Sequence, residues 1–345
     1  MKHIRILHTA DLHIDTTFFS VSQKAELLKH ELLETFGRIV GIAKEKNVDA
    51  ILVSGDITDN GTMSEASYKF MCEAFDKISH IPVFAILGNH DFGLNYTFPE
   101  NVHLFGTDLD FVSLKDADIY GANFNFEKDV SPLKDLVIKD SGKINIMLCH
   151  GTLNGNTDNP FLTSDIEKSG LNYLALGHIH SFDGLDKKGK TYYCYSGVPM
   201  GRGFDELGEK GVIIADIYEN TVETEFVPVA ERKFVELSVD CDGLSNYIEV
   251  ADKVFESTNE KDLYKIVLKG TPSGHINAET LSAVLQEKLF YAKVVDRTKA
   301  EVNIDELAKE QSLAGYFVKN AMNNQKALEY GLKALNGERI YTDED

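Results

Sequence analysis

Asp11 and His13 in TADLHID, Asp56 in SGDITD, Asn89 and His90 in GNHD, His150 in LCHG, and His178 and His180 in GHIH share one setting. Each follows a short apolar run rich in strand formers. Carboxylates, imidazoles and a carboxamide are costly to bury unless something satisfies them. Oxygen and nitrogen donors without thiolate suit a pair of first-row divalent ions, Mn²⁺ first, with Fe²⁺ or Zn²⁺ as alternatives. Two ions held ~3.5–4 Å apart need a shared ligand, and the lone carboxylate Asp56 is the natural bridge. Asp11 and Asp56 would then oppose two negative charges to four positive ones. A lone histidine usually reads as an ordinary core or surface residue, and Asp56 or Asp59 alone as a turn or cap. Five separated motifs with the same donor chemistry outweigh those plainer readings.

Such a centre also answers a puzzle of charge. The formal net charge is −20, and the first 230 residues and the remainder are each acidic. A protein that grips nucleic acid with its own surface carries a basic patch, and no Lys/Arg block occurs here. Bound cations can invert the local electrostatics and attract phosphate to an acidic chain. The four cysteines, Cys72, Cys149, Cys194 and Cys241, form no CxxC pair. They argue against a disulfide framework or thiolate zinc site and fit a reducing, cytoplasmic setting. The N-terminal MKHIRILHTADLHID has no signal-peptide apolar region, and no run approaches the ~18 apolar residues of a membrane span.

The elements that must position these side chains are legible in the apolar pattern. Strands are expected at IRILH (4–8), AILVSGD (50–56), VFAIL (83–87), INIMLCH (144–150), NYLALGH (172–178), TYYCYSG (191–197) and GVIIADI (211–217). Helical spacing spans Gln23 to Lys46 and Ser64 to Ile78. Alternating strands and helices suggest a layered α/β domain with a mixed sheet. Strand geometry should deliver the ligands to one edge of one sheet, with residues two apart in extended backbone pointing the same way. After Val229 the pattern shifts to a small α+β module, and Ser312 to Leu335 reads as one terminal helix. The expected organisation is a catalytic domain at 1–230, the small module at 231–311, and a helix and tail at 312–345. The terminal helix is read as packed on its own protein, with a docking segment as the alternative.

Taken together, D-x-H, GD-x-x-D, GNHD, a lone histidine after a strand and GH-x-H resemble the calcineurin-like metallophosphoesterase superfamily, in a pattern extending to about residue 230. The resemblance implies a layered core of mixed β-sheets flanked by helices, with a smaller α+β capping domain. It implies one metal held by Asp11, His13, Asp56 and His180, and another by Asp56, Asn89, His150 and His178. His90 would be the proton donor to the leaving group, oriented by Asp91, with attack by a water activated between the metals. RILHTADLHIDTTF and YSGVPMGRGFDELGEKGV resemble the DNA repair exonuclease branch, of SbcD/YhaO type. That branch implies a metal-dependent phosphodiesterase cutting DNA as an exonuclease or endonuclease, with an SbcC-like ATPase partner docked by the terminal helix. Asp59 departs from it, since several such nucleases carry histidine there. Arg202 is a candidate substrate contact, although solvated surface charge is the plainer reading. A small-molecule phosphodiesterase or phosphatase for cyclic nucleotides or nucleotides is the main alternative. A phosphoprotein phosphatase and a non-catalytic metal scaffold are further ones, the scaffold disfavoured by intact His90 and Asp91. Homodimerisation is left open.

Overall fold

A computed structural model describes residues 2–127, 130–299 and 307–335. The expected tail beyond residue 335 and the segment 300–306 lie outside the described residues. The chain divides into two units, Met1–Lys233 and a second beginning at Phe234.

In the first unit, β1 (His3–Thr9), α1 (Ala25–Glu45), β2 (Ala50–Ser54), α2 (Glu65–Asp76), β3 (Val83–Ile86) and β4 (Val102–Leu104) alternate along the chain. There follow β5 (Asp110–Ser113), β6 (Ala117–Gly121), β7 (Ile144–His150), α3 (Thr163–Ser169) and β8 (Tyr173–Gly177). Strands β9 (Asp186–Lys188), β10 (Thr191–Tyr195), β11 (Gly211–Tyr218) and β12 (Val222–Pro228) complete the unit. They form not one sheet but two, each of six strands, in the orders β12-β11-β1-β2-β3-β4 and β5-β6-β7-β8-β10-β9. Both are mixed: in the first, β1 to β4 run parallel and β11 and β12 add antiparallel at one edge, and in the second, antiparallel β5 and β9 close both edges.

The two sheets pack face to face, because alternate residues of each strand enter a shared core. Ile6 of β1, Leu52 of β2 and Phe84 of β3 meet Ile119 of β6, Ile146 and Leu148 of β7 and Ala175 of β8. The opposite parity of β7 and β8, Met147, Cys149, Leu174 and Leu176, lies under Ile166 of α3. On the other outer face, Met71 and Phe75 of α2 line a small apolar cavity together with Val53 and Ala85, and Phe36 of α1 meets Phe75 edge-on. Strands covered on both faces read as continuous apolar runs rather than alternating ones, as INIMLCH does.

The second unit builds a parallel sheet in the order β13-β14-β15 from β13 (Phe234–Asp240), β14 (Leu263–Lys269) and β15 (Tyr291–Asp296). Helices α4 (Tyr247–Phe255) and α5 (Ala278–Gln286) are the crossovers, and Val250, Val254, Leu281 and Leu285 join Ile266 and Leu268 in its core. The single helix expected over Ser312–Leu335 is two, α6 (Leu313–Ala321) and α7 (Gln325–Leu335). Asn324 makes the break: its side chain accepts from Ala327 N at 3.0 Å and so caps α7. Val318, Leu328 and Leu332 then close the hairpin. Among the described residues no helix is long and apolar enough to cross a membrane.

Ile146 is fully buried between the sheets. Ile146→Ala should cost about 2–5 kcal/mol, seen as a lower midpoint in urea unfolding; an unchanged midpoint would mean the sheet interface is not packed as described.

Candidate metal centre

The candidate ligands leave the carboxyl ends of five strands: β1, β2 and β3 of one sheet, and β7 and β8 of the other. One edge of one sheet was the expectation; the site instead lies where the edges of two facing sheets meet. Two contacts tie those edges together. Ser54 Oγ donates to the Ala175 carbonyl at 3.0 Å, and His150 Nδ1 lies 2.9 Å from the Ser54 carbonyl. The approach is close enough that a Cβ on Gly177 would fall 2.0 Å from that same carbonyl oxygen. Gly88 meets a similar limit. Its φ of −98° suits any residue, but a Cβ there would stand 2.2 Å from Asp56 Oδ1.

Strand periodicity does not aim the ligands. Strand β1 ends at Thr9, and Asp11 and His13 have left-handed φ values of 52° and 45°. Asp56 and His178 also have positive φ, 50° and 104°. Such conformations are costly for residues with side chains and persist where surrounding contacts fix them. Here Asp11 N donates to Gly55 O and His13 N to Asp56 O, each at 3.0 Å.

Donor atoms of Asp11, His13, Asp56 and His180 lie within 4.8 Å of one another. A second group adjoins it: Asn89 Oδ1 is 2.9 Å from His150 Nε2 and 3.2 Å from His178 Nδ1. Asp56 Oδ2 is common to both groups, 3.7 Å from His13 Nε2 and 3.5 Å from His150 Nε2. The structure thus brings together all seven nominated ligands.

The chemistry of these donors fits cations. Burial pulls both His13 and His150 down to about 4, so their rings are neutral at pH 7, the form a metal binds. With His150 Nδ1–H donating to Ser54, Nε2 presents a lone pair to the Asn89 carbonyl oxygen, two acceptors that a cation between them reconciles. His13 Nε2 faces His180 Nε2 at 3.3 Å in the neighbouring group. Burial, and then the neighbouring Asp56 charge, push the Asp11 carboxyl well above its usual range. The His178 N–H, at 3.0 and 3.1 Å from its two oxygens, and the Arg202 charge offset part of this.

His90 borders this cluster, its ring edge-on to His13 with centroids 4.9 Å apart and its side chain 42% exposed. The expectation that Asp91 orients it is corrected by the contacts. Asp91 is fully buried and accepts from Gly88 N, Ile57 N, Thr58 N and Thr58 Oγ1, at 2.8–3.0 Å. Burial raises its carboxyl to about 6 even so. It holds the GNHD and GDITD loops against each other. His90 Nδ1 instead lies 2.9 Å from the Asp59 carbonyl, which leaves Nε2 to meet a substrate.

Two residues were missed. Asp59, read from the sequence as a turn or cap, stands 3.2 Å from His13 Nδ1, out of line for a hydrogen bond, and 3.1 Å from Arg202 Nη1. Glu206 lies 2.7 Å from His180 Nδ1. Burial alone would raise Glu206, but His180 and Arg202 overrule it and bring it down to about 2. By accepting a hydrogen bond from Nδ1–H, Glu206 leaves His180 Nε2 available as a ligand. The GD-x-x-D spacing could have flagged Asp59; no sequence signal marked Glu206 beyond its place in FDELGEKG. Arg202, a candidate substrate contact with solvated charge as the plainer reading, is 20% exposed and held by Glu206 and Asp59.

Residues 4–182 match the calcineurin-like phosphoesterase family. The chain belongs to that family. As a calcineurin-like phosphoesterase it is a metal-dependent phosphoesterase with a site of dinuclear type. Over 351 residues it is 26% identical to the uncharacterized metallophosphoesterase YhaO of Bacillus subtilis (strain 168), covering 89% of this chain and 85% of that one. It is 23% identical over 358 residues to the DNA double-strand break repair protein Mre11 of Sulfurisphaera tokodaii, covering 93% and 90%. Among solved structures, the dimetal phosphatase LOC 393393 of Danio rerio aligns at 10% identity and TM-score 0.43, over 66% of this chain and 99% of that one. The calcineurin-like phosphoesterase YfkN of Bacillus subtilis aligns at 14% and 0.44, over 67% and 92%. Likeness at that distance says nothing about activity.

Glu206→Gln should weaken binding of one metal about 10- to 100-fold while leaving the fold intact. Calorimetric titration with Mn²⁺ would show it; unchanged affinities at both sites would remove Glu206 from the centre.

Proposed function

We propose that this chain is a dinuclear-metal phosphodiesterase acting on DNA, as an exonuclease or endonuclease of SbcD/YhaO type in DNA repair. The observation that carries the hydrolase part is the sharing of Asp56 between two donor groups, with His90 at their rim. The DNA part is supported by the Mre11 relative, matched along most of both chains. Mn²⁺ is the expected metal, with Fe²⁺ or Zn²⁺ as alternatives. Two cations, when bound, would supply an activated water and positive charge facing the phosphoryl oxygens.

The chain's own residues do the rest. Asp11, His13, Asp56 and His180 would hold one cation, and Asp56, Asn89, His150 and His178 the other. Asp56 also accepts from His90 N at 2.9 Å through its second oxygen, so ligand and proton donor keep a fixed relation. With Nδ1 donating to the Asp59 carbonyl, His90 Nε2 is the atom that passes a proton to the departing oxygen. Asp91 acts one step back, by fixing the loops that carry His90 and Asp56. Arg202, spent on Asp59 and Glu206, serves positioning rather than phosphate contact.

An SbcC-like ATPase is the proposed partner, supplying DNA affinity that an acidic chain lacks. Exposed Leu313 and Tyr316 on α6 are its candidate contact, and the cytoplasm is the proposed setting. A small-molecule phosphodiesterase is the second reading, favoured by the net charge of −20.

His90→Ala should keep its metal and lose about 10²–10⁴ in kcat, whereas Asp56→Ala should lose metal. Metal analysis beside kinetics separates the two, and full loading of both variants would refute the shared-ligand role. The substrate class is read by offering bis-p-nitrophenyl phosphate, the monoester and end-labelled DNA with Mn²⁺. Diester and DNA cleavage is expected; strong monoester preference with intact DNA would sink the nuclease reading.

A further inference from the structure

A ladder of aromatic rings climbs out of the metal centre. Phe124 is buried and stands edge-on to His150, centroids 6.5 Å apart. Phe126 packs on Phe124 at 5.0 Å. Phe92, two residues past His90, meets Phe126 edge-on at 4.9 Å and an interplanar angle of 75°. The ladder starts on a nominated ligand and ends in solvent, with Phe92 70% and Phe126 46% exposed. A single exposed apolar side chain needs no explanation. Two adjoining phenyl rings beside the reacting centre mark a contact surface.

Both rings are carried on fixed backbone. Phe124 N donates to Leu87 O at 2.9 Å, and Leu87 N donates to Asn123 Oδ1 at 2.8 Å. The segment bearing Phe126 is therefore tied to the end of β3, directly before Gly88. Phe92 follows Asp91, whose carboxylate is locked by four donors, and Leu94 N closes the turn onto Asp91 O at 2.9 Å. A preorganised surface loses little freedom when a ligand settles on it.

We propose that Phe92 and Phe126 form a subsite that stacks an unpaired nucleobase adjoining the scissile phosphodiester. This rests on the reading of the chain as a phosphodiesterase acting on DNA and states how that substrate is held. Stacking on an aromatic face needs no positive charge and tolerates any base. It therefore suits a chain of net charge −20, whose overall field repels a phosphate backbone. Phenylalanine has no polar atom with which to read a base edge, so the subsite imposes no sequence preference. A base stacked within a duplex has no free face, so the nucleotide at this position is single-stranded or frayed.

The test uses the full Mn²⁺-loaded chain and end-labelled single-stranded oligothymidylate, compared with an oligomer of equal length carrying tetrahydrofuran abasic residues. The intact enzyme should cleave the abasic strand with a KM raised on the order of 5- to 100-fold. Phe92→Ala and Phe126→Ala should raise KM for oligothymidylate similarly and add little to the loss already seen on the abasic strand. Phe92→Tyr, which keeps the ring, should retain affinity, and Phe92→Leu should not. If the intact enzyme cuts both strands equally well, or if Phe92→Ala harms both equally, the subsite is refuted while the nuclease reading stands. If bis-p-nitrophenyl phosphate is hydrolysed and both strands stay intact, the nuclease reading fails and the subsite fails with it.

Discussion

Two carboxylates, Asp11 and Asp56, each 1% exposed, are buried side by side, and the rest of the first unit answers to that fact. The His13 and His150 rings beside them are held neutral by burial and bring no opposing charge. Uncompensated groups of this kind cost several kcal/mol each, against a total stability of about 5–15 kcal/mol for an ordinary domain. Cations between the donors resolve the conflict. The same positive charge makes an acidic chain attractive to a phosphoester, so stability of the centre and attraction of substrate have one origin.

The fold serves this arrangement by bringing strand ends from two sheets within contact. Ser54 sits at the seam and works twice: its hydroxyl bonds across to the partner sheet, and its carbonyl sets the tautomer of His150. Glu206 performs the second task for His180. Left-handed backbone at Asp11, His13, Asp56 and His178 turns side chains inward where an extended chain would have alternated them. That conformational cost is carried by the loops so that donors converge.

The ligands themselves were legible because each follows an apolar run that can only be a buried strand, and because O and N donors without thiolate have a narrow chemistry. The division into two sheets was not legible, since periodicity reports which residues are buried and not which strands pair. Asp91 and Asp59 were misread for a related reason. Both are carboxylates near His90 in sequence or spacing, and only the turn geometry shows that Asp91 faces backbone amides while the Asp59 carbonyl faces the imidazole. Glu206 lies in a segment without secondary structure, where side-chain direction has no period to follow. The break at Asn324 was hidden because α6 and α7 keep apolar residues at helical spacing on both sides of it.

The most direct measurement is anomalous diffraction from crystals grown with manganese. Two peaks ~3.5–4 Å apart are expected, with the Asp56 carboxylate bound to both. One set of donors should be Asp11, His13 and His180, and the other Asn89, His150 and His178. A single peak, or two whose shared ligand is a residue other than Asp56, would contradict this arrangement.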